Sequence, residues 1–388
     1  MVKSLAVERA GSSAIRDLLE ITERPGIVSL AGGLPNPATF PTDAIARATA
    51  TVLAEDPVGA LQYGPTEGVR PLRRWIADRH QLGADGEEQV LVTSGSQQAL
   101  ELLTRALVDP GGGVALSDPA YVGALQAFRA AGAELTAIPG DADGMRVDVL
   151  AERLRAGARP ALVYVVANFD NPSGSTLSSR RRAELAALAD RYGFWIVDDD
   201  PYGDLRWRGT TPGSLRDLTD RTITLGSTSK VLAPGLRIGW AVAPVEVLRS
   251  MAILKQSADL HTSSLTQQVV HRVLAEPGFL DGHLATLRTT YQRQAQHLVA
   301  GLRTQLGDRL AVAEPDGGMF LWAELRDQHA DTASLLATAV AHGVAFVPGA
   351  AFGVEDLHPR RMRLSYATAD PAGLDLAVER LVGVIPTR

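Results

Sequence analysis

The 388-residue chain contains no cysteine, which excludes disulfides, thiolate metal sites and cysteine nucleophiles together. No apolar run approaches the ~18 residues of a membrane helix, so no membrane span is expected. The N-terminal sequence carries Glu8, Arg9, Arg16 and Asp17 where a secretory leader needs an apolar stretch. A cytoplasmic protein is expected. Basic residues are not in excess: 38 Lys and Arg face 44 Asp and Glu, for a net charge of −6. That balance argues against a broad nucleic-acid footprint and leaves room only for a local basic pocket that holds a small anion. Gly-x-Gly-x-x-Gly, Gly-x-x-x-x-Gly-Lys-Ser/Thr and His-Glu-x-x-His are all missing, and the eight histidines are scattered, so no metal site is expected.

What is present is ordinary for a globular protein. Hydrophobic residues make up 45% and charged residues 21%, and the length corresponds to two or three structural units at roughly 150 residues each. The middle of the chain alternates short β-branched runs with helical patterns, the signature of βαβ units around a mainly parallel sheet. Strands are expected at 90–94, 114–117, 161–166, 194–197, 223–226 and 237–243. The segment after the first has Leu100, Leu103 and Leu107 on one helical face. Two long amphipathic patterns, about 246–275 and 280–305, lead to a smaller α+β part with strands at 320–325, 344–348 and 361–367 and a last helix near 371–384.

In open α/β sheets ligands bind beyond the carboxyl ends of the strands. The residues that follow the expected strands are Ser94-Gly95-Ser96-Gln97-Gln98, Asp118-Pro119-Ala120-Tyr121, Asn168 to Gly174, Asp198-Asp199-Asp200-Pro201-Tyr202 and Ser227-Thr228-Ser229-Lys230. A helix starting at Ser96-Gln97 can hold an anion, although a Gly-Ser before a helix is ordinarily an N-cap. The aspartate run reads as a solvated loop or, without companions at metal spacing, a weak metal candidate. Ser227-x-x-Lys230 matches one element of the serine acyl enzymes, but their Ser-Asp-Asn and Lys-Thr-Gly partners do not occur. A lysine after a strand is ordinarily a surface residue; Lys230 stands apart because it follows an apolar strand with no adjacent acid, and a desolvated lysine can attack a carbonyl. Arg180-Arg181-Arg182 at a helix start reads as a solvated patch.

From Ser13 to about Ala367 these residues resemble a fold-type I pyridoxal-phosphate-dependent aminotransferase. Asn171 lies 28 residues before Asp199, Tyr202 three after it, and Arg237 seven after Lys230, and that order matches the family's cofactor site. The resemblance implies an aspartate-aminotransferase-like α/β fold: a three-layer large domain with a mainly parallel seven-stranded sheet plus a smaller α+β domain. The divisions it suggests are an N-terminal arm, 1–40, joining the small domain; a cofactor domain, 41–280; and a small C-terminal domain, 281–388. It assigns the Schiff-base lysine and proton shuttle to Lys230, the pyridine-nitrogen partner to Asp199, bonds to the phenolic oxygen to Asn171 and Tyr202, and ring stacking to Tyr121. Ser96, Gln97, Ser227, Ser229 and Arg237 resemble the phosphate cup. Arg363 matches the arginine that grips a substrate α-carboxylate, for which a guanidinium fork is suited. Tyr63 resembles a tyrosine lent to the neighbouring subunit, which implies a homodimer with shared active sites.

Within the family the chain is most similar to the α-aminoadipate and kynurenine aminotransferase group, through Ser13-Ala14-Ile15-Arg16, Ser29 to Pro35, and Ala258-Asp259-Leu260-His261-Thr262. There Arg16 aligns with an arginine that can meet a side-chain carboxylate, and Gly32-Gly33 lets backbone approach the ligand closely. The implied reaction moves the α-amino group of an L-amino acid to a 2-oxo acid, 2-oxoglutarate above all, by ping-pong chemistry. Alternatives are oxidation, elimination or decarboxylation on the same scaffold, or a ligand-sensing module, for which the N-terminal arm leaves no room for a winged helix. Ala167 and Asp170 stand where relatives commonly have Pro and Gln, and an extra carboxylate beside Asn171 bears on substrate choice.

Overall fold

The computed structural model describes residues 3–11 and 25–386. A short first strand, β1 (Val28–Ser29), precedes the strands of the main sheet. These are β2 (Val90–Thr93), β3 (Gly113–Asp118), β4 (Glu134–Asp141), β5 (Gly144–Met145), β6 (Pro160–Val165), β7 (Trp195–Asp199), β8 (Thr222–Ser227) and β9 (Gly239–Val242). Their order is β2-β9-β8-β7-β6-β3-β4-β5. Strands β8, β7, β6, β3 and β4 run parallel, β9 lies antiparallel between β8 and β2, and the two-residue β5 closes a hairpin on β4. The sheet thus has seven strands plus a short hairpin strand. Strand β4 is absent from the sequence reading because Glu134 and its polar carboxyl end dilute the apolar run.

Alternation along the strands builds three layers. Leu162 and Tyr164 of β6 point to one hydrophobic layer, packed with Leu100, Leu103 and Phe128, while Val163 and Val165 point to the other, packed with Leu185, Ala189 and Phe194. Both faces are covered, so β2, β8 and β9 are buried throughout and read as continuous apolar runs.

A second sheet, antiparallel, has the order β10-β11-β14-β13, with β10 (Leu310–Ala311), β11 (Phe320–Leu325), β13 (Val347–Pro348) and β14 (Arg361–Ser365). Strand β12 (Val344–Ala345) pairs in parallel with β1, tying the chain before the main sheet to the C-terminal part.

Two expectations need correcting. The pattern at 246–275 is two helices, Val245–Ala258 and Ser264–Leu274. Leu260 between them has φ +63°, which a helix cannot continue, and Ser263 caps the second by accepting from Thr266 N–H. The three arginines at the start of the helix Ser179–Tyr192 are not all solvated: Arg180 is exposed, but Arg181 and Arg182 are buried. Arg181 forks onto Asp141, and Arg182 donates to the carbonyls of Leu177, Ala167 and Gly213 and to Asn168 Oδ1. Internal acceptors replace water and make the burial tolerable.

Candidate active site

Because β9 reverses direction between β2 and β8, strand β2 again runs with β8, and the carboxyl ends of β2, β3, β6, β7 and β8 all open on one edge. A cavity of about 410 Å³ lies there. It gathers residues from across the chain: Ser96 and Gln97 after β2, Tyr121 after β3, Asn171 after β6, Asp199 and Tyr202 at β7, Ser227, Ser229 and Lys230 after β8, and Arg237 before β9. Gly33 and Arg363 close it from the parts linked by β1 and β14. Leu34 and Pro201, from segments the sequence already marks, also line it, as do Val122, Gln126 and Pro234, which nothing in their local sequence marks.

Ser96 and Gln97 open the helix Ser96–Leu107 with their N–H groups toward the cavity end of the sheet, where helix termini favour anions. Their approach depends on glycine. Gly95 has φ +85°, and a Cβ there would lie 2.3 Å from Arg237 Nη2; a Cβ on Gly239 would lie 2.6 Å from Gly95 C and Ser96 N. Arg237, at φ +52°, donates to Ser94 O and Pro234 O. Ser227 Oγ accepts from Ser229 N–H at 3.0 Å, a tight turn that leads directly into Lys230.

Lys230 Nζ donates to Gly33 O at 2.8 Å. Burial lowers its pKa to about 8, with Arg363 and Arg237 adding to the effect and Asp199 opposing it. Asp199 accepts the Tyr164 hydroxyl at 2.8 Å on Oδ2, while its buried Oδ1 has no partner among the described residues. Burial pushes this carboxyl up to about 7, with the Tyr164 hydrogen bond opposing and Asp200 reinforcing. Tyr164 was not found from sequence: it faces Asp199 only because β6 and β7 pair with Tyr164 opposite Val197. Burial first, and Asp199 next, hold Tyr121 up at about 12; burial also raises Tyr202, so both phenols stay protonated donors at neutral pH.

Arg363 is buried. Its Nη1 donates to Asn171 Oδ1 at 2.7 Å and Nη2 to Ala31 O at 2.5 Å, while Nε has no partner among the described residues. Phe320 and Phe352 cover its faces at 4.3 and 5.1 Å. Desolvation lowers its pKa to about 10, which leaves it a cation at neutral pH.

One sequence candidate lies elsewhere and another is not described. Tyr63 is 79% exposed and meets the edge of His261, whose Nε2 accepts Gly64 N–H. Arg16, with Ser13 to Ile15, lies outside the described residues. Asp170 does not face the Lys230 cavity: it lines a separate one of about 720 Å³, accepts from Ser173 Oγ at 2.7 Å, and is pushed up to about 6 by burial. Its carboxyl therefore does not border the cavity that Asn171 lines. Among the described residues no group of three His, Asp or Glu side chains is placed to hold a metal.

These features fit pyridoxal phosphate. A buried carboxylate oxygen without a partner suits a charged ring N–H, two glycines whose Cβ atoms would fill the space keep the helix N-terminus open to a phosphate, and a desolvated amine sits in the same cavity.

Comparison with known proteins agrees. Residues 26–381 match the family model described as aminotransferase class I and II. The chain is 40% identical to the 2-aminoadipate transaminase of Thermus thermophilus, over 96% of this chain and 94% of the relative. It is 39% identical to aromatic-amino-acid aminotransferase 1 of Thermococcus litoralis, over 96% and 91%. The solved structure of the α-aminoadipate aminotransferase from Thermus thermophilus, complexed with N-(5'-phosphopyridoxyl)-L-leucine, superposes with a TM-score of 0.92 at 38% identity, covering 99% of this chain and 97% of that one. This chain therefore belongs to the class I and II aminotransferases and is a pyridoxal-phosphate-dependent, amino-group-transferring enzyme.

Proposed function

We propose that the enzyme transfers the α-amino group of a dicarboxylic or aromatic L-amino acid to 2-oxoglutarate in ping-pong fashion, with the side chains of the Lys230 cavity in the roles that follow. When bound, pyridoxal phosphate supplies an aldehyde that takes up the amino group and a ring that accepts the electrons left at the substrate α-carbon. Arg363 fixes the substrate: its guanidinium, which lines the cavity, receives the α-carboxylate as a charge-assisted bond, and Asn171 and Ala31 O hold it against rotation. Lys230 moves the α-proton, since an amine lowered to about 8 is a competent base near neutral pH. Asp199 retains a proton on the pyridine nitrogen, and Tyr164 keeps its carboxyl oriented. Asn171 and Tyr202 donate to the phenolic oxygen, Tyr121 covers the ring, and Ser96, Gln97, Ser227, Ser229 and Arg237 hold the phosphate.

The observation that carries this reading is the meeting of Lys230, Asp199 and Arg363 in one cavity, an amine, an acid and a carboxylate grip drawn from both sheets. The substrate classes rest on the names of the two relatives, a 2-aminoadipate and an aromatic-amino-acid enzyme. Arg16 meets a side-chain carboxylate, and Gly33 borders the substrate. A homodimer that lends Tyr63 to its partner is part of the proposal, supported by the exposure of Tyr63 together with Val58, Leu61, Ile253 and Leu260. So are a cytoplasmic location, in keeping with the prokaryotic aminotransferases it resembles, and the division into arm 1–40, cofactor domain 41–280 and small domain 281–388, which the β1–β12 pairing supports. Among the described residues no helix is long and apolar enough to cross a membrane.

The test is a half-reaction panel. Single amino acids are incubated with holoenzyme, conversion of the cofactor to its amine form is followed by absorbance, and each oxo acid is identified by mass. Dicarboxylic or aromatic donors should convert the cofactor fastest. Reaction confined to small aliphatic donors would overturn the substrate assignment, and oxygen consumption with the cofactor unchanged would overturn transfer itself.

A further inference from the structure

The chain has three lysines, Lys3, Lys230 and Lys255, against an abundance of arginine. Lys255, in the helix Val245–Ala258, is fully buried at 0% exposure. Its ammonium is nevertheless saturated: Nζ lies 2.8 and 2.9 Å from the two carboxylate oxygens of Asp259, 3.0 Å from Gln98 Oε1 and 3.1 Å from Thr262 Oγ1. A compact ammonium with rotatable donors can serve such a cluster, where a planar guanidinium would not fit.

All these acceptors converge on one residue. Ser94 N–H donates to Gln98 Oε1 at 2.8 Å, the oxygen that Lys255 also holds, and Ser94 Oγ donates to Asp259 Oδ2 at 3.0 Å and lies 3.3 Å from Thr262 Oγ1. Gln98 Nε2 adds a bond to Asp259 Oδ2 at 2.8 Å, and the Ser94 carbonyl accepts from Arg237 Nη2. Every polar group of Ser94 is therefore tied, and the next residues are Gly95, Ser96 and Gln97.

We propose that Lys255 is a positioning residue for the cofactor phosphate: through Asp259 and Gln98 it holds Ser94 rigid, and with it the turn that aims the Ser96 and Gln97 N–H groups. The inference rests on the reading of Ser96, Gln97 and Arg237 as a phosphate cup. Its physical basis is preorganisation, since a turn held before binding loses less freedom when the anion arrives. A buried network whose members are all satisfied supplies that rigidity.

Holoenzyme resolved of its cofactor is titrated with pyridoxal phosphate and, separately, with pyridoxal, which lacks the phosphate. K255M should raise the Kd of pyridoxal phosphate about tenfold, and S94A about threefold, roughly one hydrogen bond's worth in each case, while the Kd of pyridoxal stays within about twofold. Both ligands weakening by the same factor, or neither weakening, would overturn the inference. Should K255M fail to fold, S94A decides by the same criterion, because it leaves the Lys255–Asp259 pair in place. R237Q is the control for the cup: if it keeps the wild-type preference for pyridoxal phosphate over pyridoxal, the cup reading falls. If R237Q loses that preference while K255M and S94A keep it, only the role of Lys255 falls.

Discussion

Tyr164 and Asp199 sit on neighbouring parallel strands, and the tyrosine hydroxyl donates to Asp199 Oδ2 at 2.8 Å in the interior of the sheet. The bond leaves Oδ1 as the oxygen free to meet the cofactor. It also opposes the burial that raises the Asp199 pKa. Tyr164→Phe removes the donor and lets that pKa rise further, so the acidic limb of the pH profile of kcat/KM should move to higher pH. The maximal kcat should fall about tenfold, as expected for one buried charge-assisted hydrogen bond. An unmoved acidic limb would show that the hydroxyl does not tune Asp199.

Arg363→Lys keeps the charge but loses the fork that spans Asn171 and Ala31 O. A loss of about 2 kcal/mol, roughly thirtyfold in kcat/KM, is expected, chiefly as a raised KM for the amino acid. A variant with wild-type KM and reduced kcat would place the arginine in the chemistry and not in substrate binding.

In the cofactor-free protein Asp199 titrates at about 7 in the fold, against 3.8 ordinarily. The folded state thus binds more protons than the unfolded chain between those values. Its contribution to stability is present below pH 4 and is lost as the pH rises to 7. Asp198, also raised to about 7 by burial and by Asp200, acts in the same direction. Thermal unfolding of cofactor-free wild type should therefore decline more steeply from pH 4 to 7 than that of Asp199→Asn. Parallel curves would contradict the buried, uncompensated carboxyl.

Arg182 is 2% exposed and serves four internal acceptors. Arg182→Met removes that donor from all four acceptors and takes from Asp198 its nearby cation, while Asp200 keeps only Arg206. The expected cost is about 3–5 kcal/mol, read as a fall in the urea midpoint. A loss under about 1 kcal/mol, the range of exposed ion pairs, would return Arg182 to the solvated role its sequence suggests.

Much of the site is legible because its residues directly follow strands, and strands announce themselves by local apolar runs. Lys230, Asp199, Asn171 and Tyr202 are found that way, Arg237 by its spacing from Lys230, and the structure brings them into one cavity. Asp170 and Asn171, adjacent in sequence, border different cavities, because adjacency says nothing of which way a turn sends a side chain. Arg181 and Arg182 mislead because three arginines at a helix start look solvated until the carbonyls and the aspartate that receive them are seen. The role of Lys255 is invisible in the sequence, since Gln98, which it holds directly, and Ser94, which it reaches through Gln98 and Asp259, lie more than a hundred residues away.

The alternation of strand and helix, the absence of thiol chemistry and the choice of a lysine as nucleophile follow from residue type and near neighbours, and so are already fixed along the chain. Tertiary structure alone decided that Tyr164 orients Asp199, that Arg363 is braced by Asn171 192 positions away, and that Ser94 is clamped through Lys255. Those contacts depend on strand order, register and the closing of one sheet over the edge of another, which hydrophobic periodicity does not specify.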